Sequence, residues 1–212
     1  MDNPRAKIKH IVFDLGGVLF DWNPRYLFSK MFSDQREMEY FLTQVCSQDW
    51  NEKQDAGRPF AEGVLELKSK YPQFSEYIEA YDKRWNEMLR GPILETVEVL
   101  QKLSEQKSEN GLRLFALSNW SAEKFVHVRE NYDLIKIFEG IILSGEIGLI
   151  KPEPAIYQHL LERFKVESKE CIFIDDNLAN IEAARKLGFL GHHFKGALEL
   201  KAELERHGLL LD

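Results

Sequence analysis

The chain has 212 residues, with 28 Lys and Arg against 35 Asp and Glu for a net charge of −7, and 44% of it is hydrophobic and 30% charged. That balance belongs to a folded globular chain and excludes a disordered or fibrous one, while the acidic surplus argues against nucleic acid as the main partner, because phosphate backbones are bound by basic surfaces. The length accommodates one domain, or one domain carrying a smaller one, and no stretch approaches the roughly 18 apolar residues needed to span a bilayer.

The opening MDNPRAKIKH lacks the apolar stretch of an export signal. Cys46 and Cys171 are too few and too far apart for a disulfide framework or a paired zinc site, so a reducing cytoplasm is the expected compartment. A short apolar run at residues 9–13 then reads as a strand and ends in Asp14. Residues 25–88 break into helical patterns at 26–32, 37–46, 60–70 and 74–88, punctuated by Asp55-Ala56-Gly57-Arg58-Pro59 and Tyr71-Pro72, with no strand expected among them. The sheet is expected to resume near Pro92. Three more apolar runs follow, at 113–117, 140–143 and 171–174, ending in Ser118, Ser144 and Asp175. Helical stretches at 121–131 and 154–164 separate them, and another at 178–187 follows the last.

Runs of four or five apolar residues alternating with helices indicate strands buried on both faces of a parallel sheet. The expected fold is therefore an α/β, Rossmann-like three-layer parallel sheet, built from residues 1–24 and 92–212, with a small α-helical domain inserted at 25–91. His192 and His193 fall in a further strand, where neighbours point to opposite faces, and the six histidines give no ligand pattern. Residues 104–110, SEQKSEN, read as a solvated helix end and loop, and 195–207 as a terminal amphipathic helix.

In open α/β sheets the ligand crevice lies beyond the carboxyl ends of the strands, so Asp14, Ser118 and Asp175 are expected to share one mouth. Asp14 precedes Gly16-Gly17, where the backbone can turn sharply and approach a ligand closely, and a carboxylate there can act as a nucleophile; the same pattern also serves a plain turn. Asp175-Asp176 precedes Asn177, an N-cap for the following helix, and one of these acids could simply serve that cap. Three carboxylates converging on one mouth repel unless a cation sits among them, and hard oxygen ligands with room for water and a phosphate oxygen suit Mg²⁺. Lys151, fixed between Ile150 and Pro152, offers a compact positive charge, although a lone lysine is by default solvated. Ser118 and Asn119 offer a hydroxyl and an amide near a helix start, where anions are favoured.

In order, Phe13-Asp14-Leu15-Gly16-Gly17-Val18, Leu117-Ser118-Asn119, Lys151-Pro152 and Ile174-Asp175-Asp176-Asn177 resemble the four motifs of the haloacid dehalogenase-like (HAD) hydrolase superfamily. The insert after the first motif looks like that family's small helical cap, and the whole resembles the branch holding sugar-phosphate phosphatases, the phosphatase domain of soluble epoxide hydrolases and 2-haloacid dehalogenases. The resemblance implies Asp14 as nucleophile, Ser118 as binder of the transferred group, Lys151 as charge balance and Asp175 and Asp176 as the acids of the fourth motif. It also implies a Mg²⁺ site on Asp14, the Gly16 carbonyl, Asp175 and Asp176. One departure stands out: most phosphatases of this superfamily carry a second Asp two residues after the nucleophile as general acid and base, and here Gly16 occupies that place.

Haloacid dehalogenases also lack that second Asp, but need no metal and have small hydroxyl and amide residues where this chain has Asp175-Asp176. The expected function is accordingly Mg²⁺-dependent hydrolysis of a small phosphomonoester, a sugar phosphate or similar metabolite, through an aspartyl-phosphate on Asp14. Dehalogenation by the same nucleophile at carbon, and a non-catalytic role binding a phosphorylated ligand, are the alternatives. Gly17, Ser118, Asn119, Arg25 and Trp22 are the candidate substrate contacts; Tyr81 and Trp85 are expected in the core, and Trp120 either lines the pocket or packs under the next helix.

Overall fold

The computed structural model describes residues 7–106 and 111–210. The apolar runs of the sequence become β1 (His10–Phe13), β4 (Arg113–Ser118), β5 (Gly140–Leu143) and β6 (Cys171–Asp175), joined by β7 (Leu190–His193) in one parallel sheet of order β5-β4-β1-β6-β7. Every residue of β1 and β6 is buried, as central strands covered on both sides must be.

Side chains alternate across the sheet and so build two cores. Ile11, Phe13, Leu114, Ala116, Ile172 and Ile174 face one side, packing with Leu100 and Leu103 of the Leu94–Glu105 helix and Leu200 and Leu204 of the Ala197–Arg206 helix. Val12, Phe115, Leu117 and Phe173 face the other, against Ile156, Tyr157 and Leu160 of the Pro154–Phe164 helix and Ile181 of the Leu178–Lys186 helix. This is a three-layer Rossmann-like arrangement.

The sheet does not resume near Pro92. A separate antiparallel ribbon of β2 (Phe20–Trp22) and β3 (Leu89–Pro92) ties together the two points where the chain enters and leaves the helical segment, and the main sheet resumes only at Arg113. Phe-Asp-Trp and Leu-Arg-Gly-Pro are too short, and the second too rich in Gly and Pro, to announce strands by pattern.

Between β2 and β3 the chain is helical: Arg25–Phe28, Gln35–Tyr40 followed by a π-helical turn at Phe41–Val45, Gln48–Asp55, Phe60–Lys70 and Ser75–Lys83. The expected long helix at 74–88 ends at Lys83 and gives way to a 3₁₀ turn at Trp85–Met88, and the Gln48–Asp55 helix has no counterpart in the sequence reading. Its mostly polar composition hides it; Ser47 announces its start by accepting a hydrogen bond from the Trp50 N–H. The segment packs on its own aromatic cluster, in which Phe32 stacks on Tyr77 at 4.0 Å and Phe28 meets Phe41 at 4.9 Å. Part of the 104–110 stretch lies outside the described residues. No helix among the described residues is long and apolar enough to cross a membrane.

Candidate active site

Parallel register brings the candidate residues together. Phe13 pairs with Ala116 on β4 and Ile174 on β6, so the ends of three adjacent strands present Asp14, Ser118 and Asp175 side by side. The Asp14 N–H donates to the Ile174 carbonyl at 2.8 Å, fixing the backbone two residues before the glycine turn. At Gly17 φ is +72°, a left-handed backbone that favours glycine, and a Cβ there would displace the Asp176 carboxylate.

Asp14 is buried, and three donors converge on its Oδ1: the Ser118 hydroxyl at 2.7 Å, the Leu15 N–H at 2.7 Å and the Lys151 ammonium at 3.0 Å. Oδ2 carries none of these contacts. Lys151, also buried, donates to Asp175 Oδ2 at 2.6 Å. Asp175 in turn accepts from the Asn177 N–H at 2.8 Å and from Asn180 Nδ2 at 3.1 Å on each oxygen. Its role is thus to hold Lys151 and the start of the Leu178–Lys186 helix, while the exposed Asp176 faces the cleft. Asn177 caps that helix as expected, accepting from the Ala179 N–H at 2.9 Å.

The electrostatics are unbalanced. Burial pushes the Asp14 carboxyl up to about 7; Lys151 opposes the rise, and Asp175 and Asp176 add to it. Asp176 opens to the cleft, yet partial desolvation against the cleft wall raises its carboxyl too, helped by the charge of Asp175. Burial works against the charge of Lys151, but Asp14 and Asp175 more than offset it and its pKa is raised. Carboxylate oxygens of Asp14, Asp175 and Asp176 all lie within 4.8 Å of one another. Three acids against one ammonium leave a site that a divalent cation would relieve.

Two expected substrate contacts have other partners. The Arg25 guanidinium is held by Glu39 through two hydrogen bonds of 2.8 and 2.6 Å, so it lines the cleft as half of a surface ion pair. The Asn119 side chain exchanges two 2.9 Å hydrogen bonds with the backbone of Lys151, its amide donating to the carbonyl and its oxygen accepting from the N–H. It therefore positions the lysine loop. Trp22 does reach the site: it stacks on Trp85 and, with Trp120, lines a chamber of about 100 Å³ over Gly16. Trp85 and Tyr81 are buried as expected, and Trp120 both lines the chamber and packs on Phe125 of the next helix. The chamber adjoins a cleft of about 880 Å³ that holds Asp14, Lys151 and Asp176.

The sequence reading missed Asn180 and Asp55. Asn180 sits one turn into its helix, where a side-chain amide can reach back to the preceding strand end. Asp55 ends the Gln48–Asp55 helix; its Oδ1 accepts from the Ser121 N–H at 3.1 Å, its Oδ2 from Asn51 at 2.8 Å, and its carbonyl from the Ser144 hydroxyl at 2.5 Å. The Asp55-Ala56-Gly57 punctuation marked a helix end but not this contact.

Residues 8–188 match the haloacid dehalogenase-like hydrolase family. The chain belongs to that family. A sesquiterpene phosphatase of Aspergillus oryzae is 28% identical over 201 residues, spanning 93% of this chain and 95% of the relative. A phosphorylated carbohydrates phosphatase of Thermotoga maritima is 26% identical over 184 residues, 84% of this chain and 81% of its own length. Among solved structures, a HAD family enzyme of Bacteroides thetaiotaomicron in complex with magnesium and inorganic phosphate superposes with a TM-score of 0.66 at 26% identity, covering 89% of this chain and 94% of that one. The fold and the hydrolase class of this chain follow from these matches.

Proposed function

We propose that this HAD hydrolase is a Mg²⁺-dependent phosphatase that cleaves a small phosphomonoester, a sugar phosphate or similar metabolite, through a phosphoryl group carried on Asp14. The observation that carries the reading is the convergence of Asp14, Asp175 and Asp176 within 4.8 Å, opposed by Lys151 alone. The residues that would hold the ion are Asp14, the Gly16 carbonyl, Asp175 and Asp176; because Asp175 is committed to Lys151 and Asn180, Asp14 and Asp176 carry most of that role. Bound there, the ion supplies the neutralisation that lets a carboxylate and a phosphate approach each other. Two relatives named as phosphatases, and a structural neighbour holding magnesium and phosphate, support the choice.

The chain's own residues do the rest. Asp14 attacks the phosphorus in line from the carboxylate oxygen left outside its three hydrogen-bond contacts, and catalysis is mostly positioning and charge stabilisation. Lys151 and Ser118 favour the ionised form of Asp14 and orient it, Ser118 and the Gly17 backbone border the transferred group, and Trp22 borders the leaving group. Water then releases phosphate from Asp14. The helical segment 25–91 acts as a cap that closes the mouth and excludes water, a reading supported by its docking on Ser121 and Ser144 through Asp55. Cytoplasmic placement belongs to the same proposal and is supported by two free, buried cysteines.

The dehalogenase alternative is disfavoured by Asp176, an acid facing the cleft where a haloacid carboxylate would sit. A role limited to binding leaves a buried, lysine-paired nucleophile without a task. The test is a panel of sugar phosphates, nucleotides, FMN and 2-haloacids with purified protein, with Mg²⁺ and with EDTA. Phosphate release that chelation stops and Asp14→Asn abolishes is the expected result; halide release indifferent to chelation, or no turnover at all, contradicts it.

A further inference from the structure

A phosphomonoester of an ordinary alcohol leaves as an alkoxide, which needs a proton as the P–O bond breaks. The turn after Asp14 offers none, because residue 16 is glycine. A Cβ built there would meet only the edge of Trp120 at 4.0 Å, so the space above it is open chamber. Lys151 is locked between two carboxylates. Of the side chains lining the chamber over Gly16, three are tryptophans, two are asparagines and one is ionisable: Asp55.

The surroundings of Asp55 differ from those of a surface acid. It closes the Gln48–Asp55 helix, where the negative end of the helix dipole disfavours a carboxylate. Each of its carboxyl oxygens accepts one hydrogen bond and has capacity for a second. Asn51, which holds Oδ2, is itself oriented by the Tyr81 hydroxyl at 3.3 Å. Asp55 also lines the larger cleft that contains Asp14.

We propose that Asp55 is the general acid and base of this hydrolase, donating a proton to the leaving oxygen and recovering one from the water that frees the phosphate. The assignment rests on the phosphatase reading above. In the first step an oxygen of Asp14 forms a bond to phosphorus, the phosphorus–oxygen bond of the ester breaks, its electron pair passes to the leaving oxygen, and that oxygen takes the Asp55 proton to depart as an alcohol. In the second, water adds to the phosphorus and gives a proton to the Asp55 carboxylate, and the bond to Asp14 breaks with its electron pair returning to the carboxylate. Inorganic phosphate leaves and both acids regain their starting states. Burial pushes the Asp55 carboxyl up to about 8; the Ser121 N–H opposes the rise, and Glu52 and Asp14 add to it, so a protonated carboxyl is available at neutral pH. Because the helical segment carries this acid, the site is complete only while that segment is docked.

The test uses substituted phenyl phosphates, from p-nitrophenyl, whose leaving group needs no proton, to p-methoxyphenyl, whose leaving group does. Rates of phosphoryl-enzyme formation are measured by rapid quench with Mg²⁺ present. Asp55→Asn is expected to lose at most about tenfold on the first ester and roughly 10²–10³-fold on the last, with Asp55→Glu recovering part of the loss. Equal losses across the series, or none, overturn the assignment. Should Asp55→Asn not fold, the wild type alone decides: its rates depend weakly on leaving group at pH 6 and steeply at pH 9, and a steep dependence at both overturns the proposal. Failure of the wild type to form any phosphoryl-enzyme sinks the phosphatase reading and this assignment with it, whereas ready turnover untouched by Asp55→Asn sinks only the assignment.

Discussion

Lys151 and Asp175 form a pair with almost no access to solvent, and the cost of breaking it differs from the cost of losing Asp176. Removing one member of a buried pair leaves the other charge uncompensated. Asp175→Asn is therefore expected to destabilise the fold by about 3 kcal/mol in urea unfolding, whereas Asp176→Asn, at an exposed position, stays within about 0.5 kcal/mol and instead weakens Mg²⁺ binding in a titration. Gly17→Ala should do both, costing about 1–2 kcal/mol for the left-handed backbone and pushing Asp176 from its place. The sign of the Asp55 contribution is also fixed. Its folded-state pKa of about 8 lies above the 3.8 of an ordinary aspartate, so its contribution is fully present below pH 4 and is lost as pH rises through 8. Relative to Asp55→Asn, the wild type should lose stability across that window by up to about 1.4 kcal/mol per pH unit; a flat or rising difference would show the carboxyl ionised in the fold. Asp14, Ser118, Lys151 and Asp175-Asp176 were legible in the sequence because each follows an apolar run or sits in a rigid Pro-flanked turn. Arg25, Asn119 and Asp55 were not, because Glu39, the Lys151 backbone and Ser121 become their partners only through folding.

At the scale of elements, legibility followed burial. β1, β4 and β6 are short runs with both faces covered, the edge strand β5 is buried over its last two residues, and hydrophobicity alone marks them. The β2–β3 ribbon lies at the edge of the helical segment, with Asp21 and Arg90 partly or fully exposed, and has no such mark. The helical segment meets the sheet domain through polar contacts, Asp55 with Ser121 and Ser144, the Phe60 N–H with Glu123 and Lys124 with Asp82, and through ring contacts such as Trp85 on Trp120. Such an interface can open without unfolding either side. Amide hydrogen exchange in residues 25–88 is expected to slow when Mg²⁺ and a phosphate analogue such as vanadate are added, and Ser144→Ala, which removes one of these contacts at a cost of about 1 kcal/mol, should reduce that slowing. Unchanged exchange would mean that the segment does not act as a closing cap.

For the whole molecule, the fold's contribution is convergence. Residues separated by up to 161 positions, Asp14 and Asp175 among them, come within bonding reach of one lysine because parallel strands place their carboxyl ends at one edge. The fold holds together an excess of negative charge that is costly without a counterion and useful with one. Protein quenched in acid during turnover of p-nitrophenyl phosphate with Mg²⁺ is expected to carry a phosphoryl group on the peptide containing Asp14 by mass spectrometry. The label is absent with EDTA and in Asp14→Asn. Turnover without any labelled Asp14, or label that persists when the metal is removed, would contradict it.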